Sequence, residues 1–171
     1  GLACNFAMNR QSFLKSIQNA AHGVRELFLT ERNFRIDIFF ALLALFFSIL
    51  TRTRGIELVL IILCIALVLS LEAFNSALEA VVDLAIQELH PLAKKSKDMA
   101  AGSVLLSALL SVVVGCIIFL PKLFAIFHGK LRITESVLAP LALSGAAIIV
   151  YFAWIAVHPL PEVNTSEEEM M

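Results

Sequence analysis

Four apolar runs, residues 34–50, 58–71, 98–120 and 137–157, leave this chain few folds to choose from. In hydrocarbon a segment of this kind satisfies its backbone polar groups only as a helix, since an isolated strand leaves an unpaired edge. The first run is short of the roughly 20 residues that a spanning helix needs, so it must tilt or lean on neighbours. At 60% hydrophobic residues and a mean hydropathy of +0.90, the chain lies outside the range of water-soluble domains. The expectation is an all-α, integral membrane helical protein, with an amphipathic surface helix ahead of three transmembrane helices and a fourth near the C-terminus.

Residues 10–29 supply the surface helix. Phe13, Ile17, Ala20, Val24, Leu27 and Phe28 recur at helical spacing, with Lys15, Asn19, His22 and Glu26 between them. A soluble helix packed on a partner is the alternative, disfavoured by the span that follows at once. Thr51–Gly55 is a short hydrophilic connection into a second helix that is apolar to Leu71, carries acids from Glu72 to Asp83, and is expected to run to about Leu89 before His90-Pro91 stops it. A basic loop with Lys94, Lys95 and Lys97 follows. The third span is expected to end at Pro121 and the fourth at Pro159 and Pro161, ahead of an acidic, disordered tail. The segments are thus a tail at 1–9, a domain at 10–123 made of the surface helix and three spans, an extra membrane segment at 124–158, and the tail at 159–171.

A net charge of −1 provides no concentrated basic surface and argues against a nucleic-acid partner. Cys4, Cys64 and Cys116 form no CxxC pair and imply neither disulfide nor metal. No cleavable signal peptide is expected. Placing the surface helix and the 84–97 connection in the cytoplasm puts Arg10, Lys15, Arg25, Arg32, Lys94, Lys95 and Lys97 inside, against Arg52, Arg54, Lys122, Lys130 and Arg132 outside, a slight positive-inside bias.

The chemistry concentrates on the second helix. At 100° per residue, Glu72, Asn75, Glu79 and Asp83 fall at about 0, −60, −20 and +20° around the axis, which places all four on one face. Each ionisable group near hydrocarbon costs about 2.5–3.5 kcal/mol, so three acids on one stripe call for a cation, water or partner charges. A helix emerging into solvent near Glu79 is the alternative, and Asn75, an amide suited to a polar network, weighs against it. Carboxylates suit Mg2+, a hard ion that shares oxygen ligands with ATP phosphates, and a carboxylate can take the proton of a lipid hydroxyl as it attacks the terminal phosphate. Glu72, the deeper, is the better placed for the hydroxyl, and Glu79 for the metal.

The run from Glu72 to Asp83, EAFNSALEAVVD, resembles the ExxNSAxExVVD signature of the prokaryotic diacylglycerol kinase family, and Ala93–Gly102, AKKSKDMAAG, resembles its AKxxKDxAAG element. Asn19, Gly23 and the run ERNFR at 31–35 are similar to the family's surface helix and its approach to the first span. The wording HPLAKKSKDMAAG followed by IIFLPK is closer to the undecaprenol kinase branch. The resemblance covers about residues 10–123. It implies a lipid kinase of a bacterial inner, or cytoplasmic, membrane, with its active site at the cytoplasmic face, transferring the ATP γ-phosphate to a lipid alcohol such as undecaprenol, or alternatively to diacylglycerol. It implies Glu72 as catalytic base, with Asn75 orienting the site, and Glu31 and Glu79 as Mg2+ ligands. Asn19, Glu31, Glu79, Glu88, His90, Lys97 and Asp98 would lie near the nucleotide, with Asp83 as a supporting polar group. It also implies a homotrimer with shared sites.

Several of these residues have plainer roles open to them. Asp98 suits a helix N-terminus, His90 a helix end, and the lysines anionic lipid headgroups. No GxxxxGK[ST] motif occurs, so nucleotide binding cannot rest on a P-loop. The fourth run has no counterpart in the family's three-span pattern, and its Tyr151 and Trp154 suit an interfacial aromatic belt. A small ion or proton transporter would also explain intramembrane acids, but it predicts acids spread along a path rather than clustered at one end of one helix. A lapsed scaffold would have lost a site carboxylate, and none is missing.

Overall fold

The computed structural model describes residues 2–86, 90–129 and 135–157. Every regular element among them is a helix: α1 (Leu2–Thr30), α2 (Arg32–Leu50), α3 (Ile56–Ala85), α4 (Pro91–Phe127) and α5 (Glu135–Val157). Among the described residues, α2, α3 and α4 are long and apolar enough to cross a membrane. The helix α5 lies where the fourth apolar run is.

The helix boundaries have local causes. Glu31 alone separates α1 from α2; its carbonyl accepts the Arg35 amide, and its carboxylate sits at the positive end of the α2 dipole. The turn after α2 is a Schellman motif. Arg52 takes a left-handed φ of 53°, its amide returns to the Ile49 carbonyl (3.1 Å), and the Thr53 amide returns to Ser48 (2.8 Å). Gly55, at φ 61°, then turns the chain into α3.

Four boundaries differ from the sequence expectation. Residues 2–9, expected as a tail, are helical, since nothing from Leu2 to Asn9 breaks a helix. The stretch expected to be a basic loop is already helix from Pro91, because a proline at the first helical position forgoes an amide that has no partner there anyway. Pro121 does not end α4, which continues to Phe127; a proline inside a membrane helix is tolerated where neighbours compensate for the freed carbonyl. α3 stops at Ala85, short of the expected Leu89, which lies with Gln87 and Glu88 outside the described residues, as does the C-terminal tail.

The chain divides into two compact units. One holds α1, α2 as far as Asp37, α3 from Ala66 and α4 as far as Leu109. Its buried residues are mostly polar: Arg35, Glu72, Asn75 and Ser107, with Phe34. The other holds α2 from Ile38, α3 as far as Ile65, α4 from Leu110, and α5. Here Ile61, Ile118 and Tyr151 are buried, and Phe47 of α2 meets Phe119 of α4 with ring centroids 6.0 Å apart. Lys122 of α4 pairs with Glu57 of α3 and donates to Thr53 (3.2 Å), whose hydroxyl lies 2.8 Å from that of Thr51.

Candidate active site

The acidic face of α3 holds the site. Glu72 is 3% exposed and Asn75 6%, although both are polar and lie within a helix of membrane-spanning character. Burial of this kind requires partners. The Asn75 amide nitrogen donates to Glu79 Oε1 at 2.9 Å, one helical turn on, so the two side chains share a strip of α3. The other polar atom of Asn75, Oδ1, is buried with no hydrogen-bond partner.

α2 provides the opposing wall. A cleft of about 270 Å³ is lined by Asn33, Ile36 and Asp37 from α2, Glu72 and Asn75 from α3, and Ala101, Val104, Leu105 and Ala108 from α4. Asn33 lies within hydrogen-bonding reach of the Glu72 carboxylate, and Asp37, Glu31 and Glu79 all lie within electrostatic range of it. One side of the cleft is therefore a carboxylate and amide cluster and the other is small and apolar, an arrangement that receives the polar end of a molecule whose remainder is apolar.

Of the residues expected from sequence, Glu72, Asn75 and Glu79 come together on one face, with Glu31 near them at the junction of α1 and α2. Asp83 is exposed and pairs with Lys97 at 2.5 Å, joining the end of α3 to the start of α4. Asn19, His90 and Asp98 are exposed and do not line the cleft. His90 caps α4, its Nδ1 accepting the Leu92 amide at 3.2 Å, the helix-end role open to it from sequence. Glu88 lies outside the described residues. Sequence reasoning missed Asn33 and Asp37. The one available signal was a pair of polar residues at the start of a hydrophobic span.

Among the described residues no three His, Cys, Asp or Glu side chains gather as a metal cage. The donors present are nonetheless hard oxygens, and Asn75 Oδ1 is an orphan among them. That set fits Mg2+, which commonly takes one or two carboxylates from the protein and the rest from phosphate and water.

Comparison with known proteins decides the family. The chain matches prokaryotic diacylglycerol kinase over residues 18–119, which includes every residue of the cleft. The chain belongs to the prokaryotic diacylglycerol kinase family. As a member of it, the protein is a membrane lipid kinase, a phosphotransferase to an alcohol group with ATP as phosphate donor. Among prokaryotic diacylglycerol kinase relatives, the undecaprenol kinase of Bacillus subtilis is 43% identical over 111 residues, covering 65% of this chain and 90% of the relative. The diacylglycerol kinase of Synechocystis is 41% identical over 116 residues, 67% of this chain and 66% of the relative. That of Escherichia coli K12 is 34% identical over 115 residues, 66% of this chain and 94% of the relative. No solved structure matches the chain.

Proposed function

We propose that this lipid kinase phosphorylates undecaprenol, giving undecaprenyl phosphate, with Glu72 as general base. The observation that carries the reading is a buried carboxylate at the polar side of a cleft whose other wall is apolar. A polyprenol suits that division, since it brings one hydroxyl and otherwise only hydrocarbon. The 43% identity to an undecaprenol kinase over 90% of its length supports it. Diacylglycerol is the second reading, favoured by the 41% identity to a diacylglycerol kinase. A transporter has no support from the family.

In the reaction, Glu72 takes the hydroxyl proton while the lipid oxygen bonds to the terminal phosphorus of ATP and the bond to the β-phosphate oxygen breaks, leaving lipid phosphate and ADP. Asn75 holds Glu79 in place through the 2.9 Å hydrogen bond, and Glu79 with Glu31 would hold Mg2+. Bound there, the ion would supply positive charge to offset that developing on the transferred phosphoryl group. Lys97, and with it Asn19, Glu88, His90 and Asp98, is assigned to the nucleotide on the family pattern. The active site faces the cytoplasm of a bacterial membrane, the working unit is a homotrimer, and residues 124–158 add a further membrane segment.

The test is ATP-dependent labelling of undecaprenol and of diacylglycerol, side by side in mixed micelles, with wild type and Glu72→Gln, with and without Mg2+. Preferred, Mg2+-dependent labelling of undecaprenol, lowered at least ~100-fold in Glu72→Gln, is the expected result. Preference for diacylglycerol selects the second reading, and full turnover by Glu72→Gln removes the base assignment.

A further inference from the structure

A general base in a buried site has to be aimed. Glu72 has a flexible side chain, is 3% exposed, and sits among three other carboxylates, Glu31, Asp37 and Glu79, that push its charge away. Left to that field, the carboxylate would swing from its neighbours rather than toward an acceptor in the cleft. A restraint that attracts it is therefore needed, and it must come from a group that donates hydrogen bonds and carries no negative charge. The neighbouring amide on α3, Asn75, already spends one of its two N–H donors on Glu79. Asn33 meets the requirement. It stands exposed near the start of α2, lines the same cleft as Glu72, and lies within hydrogen-bonding reach of its carboxylate.

We propose that Asn33 is the positioning residue for Glu72, holding the carboxylate by an amide hydrogen bond from α2 so that its remaining oxygen lone pairs face the cleft where the lipid hydroxyl arrives. The proposal rests on the reading of Glu72 as the base. Asn33 takes no part in proton or phosphoryl transfer; its contribution is the orientation of a side chain across a helix pair, where a displacement of about 1 Å can cost on the order of 100-fold in rate. Because Asn33 lies beside the base and is not among the residues assigned to the nucleotide, its loss should appear in kcat and leave the KM for ATP alone.

The experiment measures kcat, lipid KM and ATP KM for wild type, Asn33→Ala, Asn33→Asp, Glu72→Asp, the Asn33→Ala/Glu72→Asp double variant, and Glu72→Gln as reference. Asn33→Ala is expected to lower kcat ~10- to 100-fold with ATP KM unchanged, and the isosteric Asn33→Asp, which replaces a donor with a repelling carboxylate, to lower it further. In Glu72→Asp the carboxylate is already withdrawn by one methylene, so adding Asn33→Ala should cost less than about 3-fold more. Equal fold-losses in the two backgrounds would show that Asn33 acts apart from Glu72 and overturn the proposal. So would wild-type kcat in Asn33→Asp, which conserves shape and tests the point even if the alanine variant folds poorly. Should Glu72→Gln be inactive while both Asn33 variants are normal, the base assignment stands and this inference alone fails. Wild-type kcat in Glu72→Gln overturns both.

Discussion

Asn75 gives its amide nitrogen to Glu79 and leaves Oδ1 buried without a partner. A buried carbonyl oxygen in that condition costs about 1–3 kcal/mol, which is sustained where a ligand completes it. If the ligand is a cation shared with Glu79, then Asn75→Ala should raise the Mg2+ concentration for half-maximal turnover ~10-fold or more, and Glu79→Gln should weaken metal-dependent ATP use likewise. A Mg2+ titration that does not move in either variant would count against the metal assignment. The spacing of Glu72, Asn75 and Glu79 made this face legible in the sequence, because three, four and seven residues are helical repeats and no tertiary knowledge is needed to superpose them. Asn33 and Asp37 were not legible. Their relation to Glu72 is made across 35 to 39 residues of chain, by the fold, and no local period records it.

At the scale of helices, the turn after α2 is fixed by its own hydrogen bonds, and α4 is fastened to it by Lys122, which reaches both Glu57 and Thr53. The Glu57 side chain is 42% exposed, so solvent screening keeps the pair weak, on the order of 1 kcal/mol or less. Lys122→Met should accordingly lower the thermal midpoint in detergent by a few degrees, with the exchanged pair Glu57→Lys/Lys122→Glu recovering part of it. Equal midpoints for Lys122→Met and wild type would mean that the contact contributes nothing. Helix existence was legible throughout, since apolar runs of this length admit little else. The ends were less so: Pro91 and Pro121 are the same residue type, yet the first opens α4 and the second lies inside it. Only position relative to the hydrogen-bond ladder separates those outcomes, and the sequence does not display that ladder.

For the molecule as a whole, the described residues bury little within the chain. In the three spanning helices only 17%, 11% and 11% of the most apolar window is covered, and no large side chain is fully buried. Lipid and, in the proposed homotrimer, neighbouring copies would cover the rest. On the proposed homotrimer, the protein-only mass in mild detergent is expected at three times the 18.7 kDa of the chain, by light scattering with the detergent contribution subtracted; a mass of one chain would remove the homotrimer. The placement of Glu72 in a span that is apolar on its outer flanks has one further consequence. An acceptor that never leaves the bilayer meets this enzyme by lateral diffusion, so the quantity that sets its encounter rate is its number per unit area of membrane. Diluting that sheet with inert lipid slows the reaction even when the amount of acceptor in the tube is unchanged, and in a cell the same arithmetic ties flux to membrane growth.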